Sequence, residues 1–177
     1  MAIYPLFAGI LDYPARPIAN LVRDCAAELA PEYPEAHVHM AAFQDAVAES
    51  GIGQLQELYI NAFDLRPDCT PNLGYHLFGD DGRRGLFLAE LKGRMRACGV
   101  ALGSELPDHV SLLLRYMHLA EPERCALIED CMIPAVSRMA EVLDLTENPY
   151  KHAIRAMLSL LQQQHDASVA QADAMGA

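Results

Sequence analysis

Apolar side chains recur every three or four residues along most of the chain, which is the period of an amphipathic helix. The stripes with this period lie at 18–29, 38–47, 55–63, 88–102, 110–117, 127–143 and 154–161. No stretch of useful length alternates with the period of a strand. The pattern therefore predicts an all-α, single-domain bundle of about seven to eight helices.

The apolar stripe of the last helix is lost after Gln162, where the chain continues QQQHDASVAQADAMGA. We therefore expect residues 1–162 to form the helical domain. Residues 163–177 are predicted to be a frayed or disordered C-terminal tail, because they offer no apolar face to pack.

Prolines and glycines indicate where the helices begin, bend and connect. Pro107 and Pro122 precede apolar stripes and are each predicted to begin a helix. Pro134 lies inside a stripe and is predicted to bend it. Residues 64–85 are rich in both residue types, which favours a long connection containing a short helix. Long connections in compact domains are often functional.

The charge of the chain excludes one large class of partners. The 177 residues include 24 Asp and Glu against 13 Lys and Arg, giving a formal net charge of −11. Such a chain is poorly suited to nucleic-acid backbones and to anionic membrane surfaces. Since neither a spanning apolar segment nor a convincing signal peptide is evident, we expect a soluble, cytoplasmic protein.

The cysteines and histidines do not form a recognisable metal motif. The five cysteines include no C-x-x-C pair, and Cys25, Cys98 and Cys131 fall on apolar stripes, so we expect buried, reduced thiols. His37 and His39 are two residues apart on a predicted helix and would point in different directions. No metal and no cofactor is predicted.

Two polar motifs remain as candidates for chemistry. GDDGRRG at 79–85 lacks the ending of a phosphate-binding loop, and Asp80 and Asp81 would repel phosphate. In ELPDH, at 105–109, Asp108 could occupy the first turn of a helix and complement its dipole. Alternatively, His109 beside Glu105 and Asp108 could bind a partner at the mouth of an apolar groove. The absence of an accompanying nucleophile or metal set in the sequence argues against catalysis.

Three motifs in combination resemble the NarJ family, the delta subunits or molybdenum-cofactor assembly chaperones of respiratory nitrate reductases, within the wider TorD and DmsD group. They are Phe63-Asp64-Leu65 at a helix end, HLFGDDGRRG at 76–85 and ELPDHVSLLLRYM at 105–117. The resemblance extends more weakly from Ile10 to the helix after Pro149. It implies an all-α, cytoplasmic and non-catalytic chaperone. Such chaperones bind the apo form of a molybdopterin-containing catalytic subunit, commonly through its N-terminal peptide, and assist cofactor insertion.

The resemblance also implies a client-peptide-binding surface built from the two characteristic regions of the family. The predicted residues are Tyr59, Phe63, Asp64, Tyr75, His76, Glu105, Pro107, Asp108, His109 and Tyr116. We expect an acidic rim around an apolar groove, suited to a basic and partly apolar client segment. Two alternatives stay open: a small metal- or nucleotide-dependent enzyme using Asp108 and His109, and a structural subunit retained in a respiratory complex.

Overall fold

The computed structural model describes residues 3–176, with side chains to residue 174, and this part of the chain contains helices and no strand. The helices are α1 Ile3–Ile10, α2 Ala19–Leu29, α3 Pro34–Val47, α4 Ile52–Tyr59, α5 Leu73–Phe78, α6 Gly82–Ala97, α7 Val110–Leu119, α8 Arg124–Leu127, α9 Ile133–Asp144 and α10 Tyr150–Gly176. A π-helical turn, Ile60–Asp64, continues α4, and another, Ile128–Met132, joins α8 to α9. The predicted all-α bundle is confirmed.

The core lies where the first half of α10 packs against α3 and α9, and where α1 packs against α2 and α7. Four large aromatic side chains meet at its centre, with Tyr150 in contact with Phe43, Tyr59 and Phe63. Each large apolar side chain buried in this way contributes about 1.5–3 kcal/mol. The core therefore fixes the inner ends of Tyr59 and Phe63, two residues of the predicted site.

The helix from α8 to α9 is irregular one turn before Pro134. A proline removes one helical hydrogen bond and crowds the carbonyl of the preceding turn. The π-helical turn Ile128–Met132 lies directly before this proline and widens the helix there. The structure thus places a local irregularity where the sequence predicts a bend.

The expected burial of the stripe cysteines is correct for Cys25 and Cys131 and wrong for Cys98. Cys98 follows the end of α6, beside Gly99 with φ of +78°, and α6 buries only Leu91 and Met95. Since the packed face of α6 is this narrow, a residue at its end remains exposed.

In the structure α10 continues without a break through Gly176, past the predicted tail boundary at Gln162. The first turn of this extension contacts the bundle. The Gln163 side chain donates to the Glu32 carbonyl (2.8 Å), and that of Gln164 donates to the Tyr33 hydroxyl (3.3 Å). Most side chains further along to residue 174 are exposed, and Ala177 lies outside the described residues. The disorder of this segment stays a prediction.

Candidate functional site

The site is built where the 64–85 connection and the ELPDH turn meet as two antiparallel backbone segments. Asn72 and His109 form an isolated β-bridge. The Val110 N–H donates to the Pro71 carbonyl (2.8 Å), and the Leu73 N–H donates to the Asp108 carbonyl (2.8 Å). These bonds fix the segment before α5 against the segment before α7.

Pro107 and Asp108 are the central residues of a turn that the His109 N–H closes by donating to the Leu106 carbonyl (2.9 Å). Proline is favoured at the second position of such a turn as well as at the first position of a helix. The predictions that Pro107 begins a helix and that Asp108 lies in its first turn are therefore wrong, because α7 begins at Val110.

His109 is the N-cap of α7 and is nearly completely buried. Its Nδ1 accepts a hydrogen bond from the Ser111 N–H (3.2 Å), with the Ser111 hydroxyl oxygen 2.9 Å away. Since Nδ1 is an acceptor, the proton of the neutral ring lies on Nε2. Burial lowers the pKa of His109, while the nearby carboxylates of Glu105 and Asp12 act in the opposite direction. The ring is thus held neutral near pH 7.

His109 lines a cleft of about 440 Å³ together with aromatic and acidic side chains. The lining residues are Asp12, Tyr13, Tyr59, Phe63, Asp64, Pro67, Thr70, Pro71, Asn72, Glu105 and His109. Within residues 3–174 the Nε2–H of His109 has no hydrogen-bond partner, so it is available as a donor to a bound molecule.

The aromatic wall of this cleft is anchored in the core. The Tyr59 ring packs edge-to-face against Tyr13 (centroids 5.6 Å apart) and Phe63 (4.9 Å), and its hydroxyl donates to the Leu11 carbonyl (3.4 Å). Tyr13 is 47% exposed. The wall therefore offers one accessible ring backed by two rigid ones, an arrangement that suits apolar or cationic groups.

The acidic wall holds three carboxylates that differ in their partners. Asp12 is paired with the Arg115 guanidinium. Asp64 and Glu105 form no ion pair within the described part of the chain. The pKa of Asp64 is raised, first by desolvation and then by repulsion from Glu105, with His109 opposing it. The cleft therefore carries uncompensated negative charge that a cation would relieve.

Asp108 lies behind the cleft and is completely buried. Its Oδ2 accepts hydrogen bonds from Nε and Nη2 of Arg84, both at 3.1 Å. The Arg84 guanidinium lies over the Tyr75 ring, 5.8 Å from its centroid. Asp108 thus supports the cleft from inside the bundle, and the half-buried Tyr75 contacts its ionic partner; neither of these two predicted residues lines the cleft.

The other predicted residues lie away from the cleft. Nε2 of the buried His76 lies 2.7 Å from the Thr70 carbonyl oxygen, and burial lowers the pKa of this histidine. Tyr116 is buried and its hydroxyl donates to Oε2 of Glu123 (2.6 Å). Five of the ten predicted residues therefore share the cleft: Tyr59, Phe63, Asp64, Glu105 and His109.

Sequence reasoning did not select six of the lining residues. Asp12 and Tyr13 belong to the loop after α1, and Asn72 is the N-cap residue of α5. The remaining three are Pro67, Thr70 and Pro71. The sequence predicts residues 64–85 as a long and functional connection, but no local sequence pattern links the loop after α1 to it.

A second concave surface, of about 470 Å³, lies between α5, α6 and α8 and is mainly apolar. We call it the apolar groove; its residues are Leu77, Phe78, Phe87, Glu90, Leu91, Arg94, Pro122, Glu123, Ala126, Leu127, Asp130 and Cys131. The sequence predicts one apolar groove with an acidic rim, whereas the structure has an acidic cleft and a separate apolar groove. The short helix α5 connects them, with Asn72 in the cleft and Phe78 in the apolar groove.

Residues 3–174 hold no group of three or more His, Cys, Asp or Glu side chains that could bind a metal ion. None of the helices across 3–176 combines the length and apolar character that crossing a membrane requires.

Fold and cleft together define an all-α helical-bundle protein with an acidic, aromatic-walled cleft. The chain belongs to the nitrate reductase delta subunit family, which matches residues 26–164. It is also similar to the probable nitrate reductase molybdenum cofactor assembly chaperone NarJ of Bacillus subtilis (strain 168), with 26% identity over 109 residues. This match covers 61% of the chain and 59% of the relative, so the chain spans about three fifths of that protein's length.

Proposed function

We propose that this protein is a non-catalytic, cytoplasmic assembly chaperone for a molybdopterin-containing oxidoreductase. Its client is the apo catalytic subunit of a respiratory nitrate reductase or of a related enzyme, which it binds during molybdenum cofactor insertion. Membership of the delta subunit family and the similarity to an assembly chaperone support this proposal.

The chaperone binds the N-terminal peptide of its client at the acidic cleft. The observation that carries this proposal is an aromatic-walled cleft in which Asp64, Glu105 and the Nε2–H of His109 have no ionic or hydrogen-bond partner among the described residues. Carboxylates and an exposed tyrosine ring suit a Lys or Arg side chain. The Nε2–H suits a carbonyl oxygen of the peptide. These contacts favour a basic segment and exclude acidic ones.

An adjoining apolar turn of the same peptide occupies the apolar groove. The six residues of α5 between the two surfaces span roughly 9 Å, less than two turns of a client helix. An amphipathic client helix could therefore present its basic residues to the cleft and its apolar residues to Phe78, Phe87 and Leu91.

The geometry disfavours the alternative of an enzyme that uses Asp108 and His109. The Asp108 carboxylate is buried and bound to Arg84, so it is not accessible to a metal ion or a substrate. His109 shares the cleft with Asp64 and Glu105, but no group of three metal-binding side chains accompanies it within the described residues, so its Nε2–H is suited to hydrogen bonding.

The test is calorimetric titration with a synthetic peptide of the N-terminal sequence of the nitrate reductase catalytic subunit from the same organism. We expect saturable binding that weakens with added salt, because exposed charges are screened. The double variant Asp64→Asn/Glu105→Gln should bind about tenfold more weakly. The control, Glu28→Gln, changes an exposed acid on α2, which contributes no residue to the cleft, and should bind normally.

Two results would contradict the proposal. The first is the absence of binding by the native protein both to the peptide and to the full-length apo catalytic subunit. The second is equal weakening by the cleft variant and by Glu28→Gln, which would indicate a general charge effect and not a cleft contact.

A further inference from the structure

The completely buried Asp108 lies directly before His109 and has a single ionic partner within the described residues. That partner is Arg84, in the first turn of α6, whose Nε and Nη2 both donate to Oδ2. The other carboxylate oxygen, Oδ1, has no hydrogen-bond partner in the part of the chain that the structure describes. A buried carboxylate that depends on one cation is strongly sensitive to the loss of that cation.

From this geometry we infer that Arg84 is a positioning residue for the client-binding cleft. By holding the Asp108 carboxylate inside the bundle, it fixes the turn that orients His109 and its Nε2–H toward the cleft. Arg84 itself does not line the cleft. The inference rests on the proposed function, since it assumes that the cleft binds the client.

The fit around the ion pair supports a positioning role. A Cβ atom added to Gly74 would lie 2.7 Å from Oδ2 of Asp108, so the carboxylate is seated directly against the backbone of α5. The Asp108 carbonyl accepts from the Leu73 N–H of the same helix (2.8 Å). Asp108 can therefore move only if α5 and the β-bridge before it also move.

The ion pair also connects the cleft to the apolar groove. Arg84 belongs to α6, and α6 supplies Phe87 and Leu91 to that groove. A client that displaces α6 through the groove would act on Asp108, and hence on His109, through the Arg84 side chain as well as through α5. The pair lies between the two surfaces, although neither of its residues lines either one.

The neighbouring arginine provides a matched control. Arg83 is exposed and pairs with the exposed Asp81 in the same turn of α6. We expect Arg84→Gln to weaken binding of the client's N-terminal peptide about tenfold, and Arg83→Gln to change it less than about twofold. Both variants lose one positive charge, so a difference between their affinities reflects the position of the replaced arginine and not the net charge.

A second readout does not require the client. ¹⁵N NMR of the histidine side chains should show the single Nε2–H tautomer of His109 in the native protein and in Arg83→Gln. In Arg84→Gln it should show mixed tautomers or exchange broadening. A folded Arg84→Gln protein with native affinity and the native His109 tautomer would overturn the inference.

Arg84→Gln could also prevent folding by leaving Asp108 unpaired. In an Asp108→Asn background the buried carboxylate is removed, so adding Arg84→Gln should have little further effect on affinity or tautomer. Arg84→Lys keeps the positive charge and should recover part of the client-peptide affinity and part of the native His109 tautomer. A large effect of Arg84→Gln in the Asp108→Asn background would refute the inference. If even the native protein fails to bind the client, the proposed function fails and the tautomer result still decides the role of Arg84.

Discussion

Replacing Gly74 with alanine tests how tightly the support of the cleft is packed. Alanine is favoured over glycine in a helix by about 1 kcal/mol, which alone would stabilise α5. The new Cβ would, however, lie 2.7 Å from Oδ2 of Asp108 and 3.1–3.3 Å from the Phe87 ring. Overpacking of this kind costs about 1–3 kcal/mol. Since Asp108 is buried and bound to Arg84, we expect a net destabilisation of about 1 kcal/mol.

Gly93→Ala is the matched control. Gly93 lies in α6 on an exposed face, and its added Cβ would meet nothing within 4 Å. The same substitution should therefore stabilise the protein by up to about 1 kcal/mol through helix propensity alone. The two variants differ in what surrounds the methyl group and are expected to differ by about 2 kcal/mol in the free energy of unfolding.

Urea unfolding followed by far-ultraviolet circular dichroism measures both free energies of unfolding. The comparison requires that the free energy of unfolding falls with urea concentration at the same slope in both variants. Gly74→Ala should also weaken client-peptide binding, because the displaced carboxylate disturbs the His109 turn, whereas Gly93→Ala should not. If Gly74→Ala proved as stable as Gly93→Ala, Asp108 would not be rigidly seated against α5 and our account of the support would be wrong.

Two further predictions concern buried polar groups. Burial lowers the pKa of His76 and His109 from 6.5, so below pH 6.5 the unfolded state takes up their protons before the folded state does. The contribution of each of these two histidines to the free energy of unfolding should therefore be constant above pH 6.5. It should fall on acidification, by up to about 1.4 kcal/mol per pH unit, until the folded-state pKa is reached. Urea unfolding at a series of pH values should show that the free energy of unfolding falls less steeply with acidification in His76→Gln than in the native protein. An unchanged pH dependence would exclude a contribution from His76. The buried Tyr150 hydroxyl has no hydrogen-bond partner among the described residues, whereas the Tyr116 hydroxyl donates to Glu123. Tyr150→Phe should therefore be neutral or stabilising, and Tyr116→Phe should cost about 1 kcal/mol. The reverse order of stability in thermal unfolding would contradict this prediction.

The helices could be predicted from the sequence because an apolar period of three to four residues survives in nearly every segment. Which face of a helix is buried is harder to predict where alanine dominates the apolar stripe. In α3 the sequence favours Val38 as a core position, but Val38 is 64% exposed and the buried residues are Ala36, Met40, Phe43 and Val47. Small side chains give a weak signal, so neighbouring helices decide which side of α3 is buried.

The candidate site could be predicted only where local motifs coincide with it. Phe63-Asp64 and ELPDH each supply residues of the cleft. Asp12 and Tyr13 enter it through the packing of α1 against α7, a contact between residues about a hundred positions apart. No short-range pattern reports such a contact. The same packing provides Arg115 as the partner of Asp12, which leaves the negative charge of the cleft with Asp64 and Glu105.

Asp108 and His109 of the ELPDH motif have opposite roles because the backbone there is not helical. His109 lies at φ −63° and ψ 131°, in the extended region, and is paired with Asn72 in the β-bridge. Asp108 is the third residue of the turn that precedes this extended residue, and the change of backbone direction there separates the two side chains. Asp108 faces the interior and Arg84, while His109 faces the cleft. The turn and the bridge make the aspartate a support for the histidine, so the motif presents Glu105 and His109 to the client and keeps Asp108 inside the bundle.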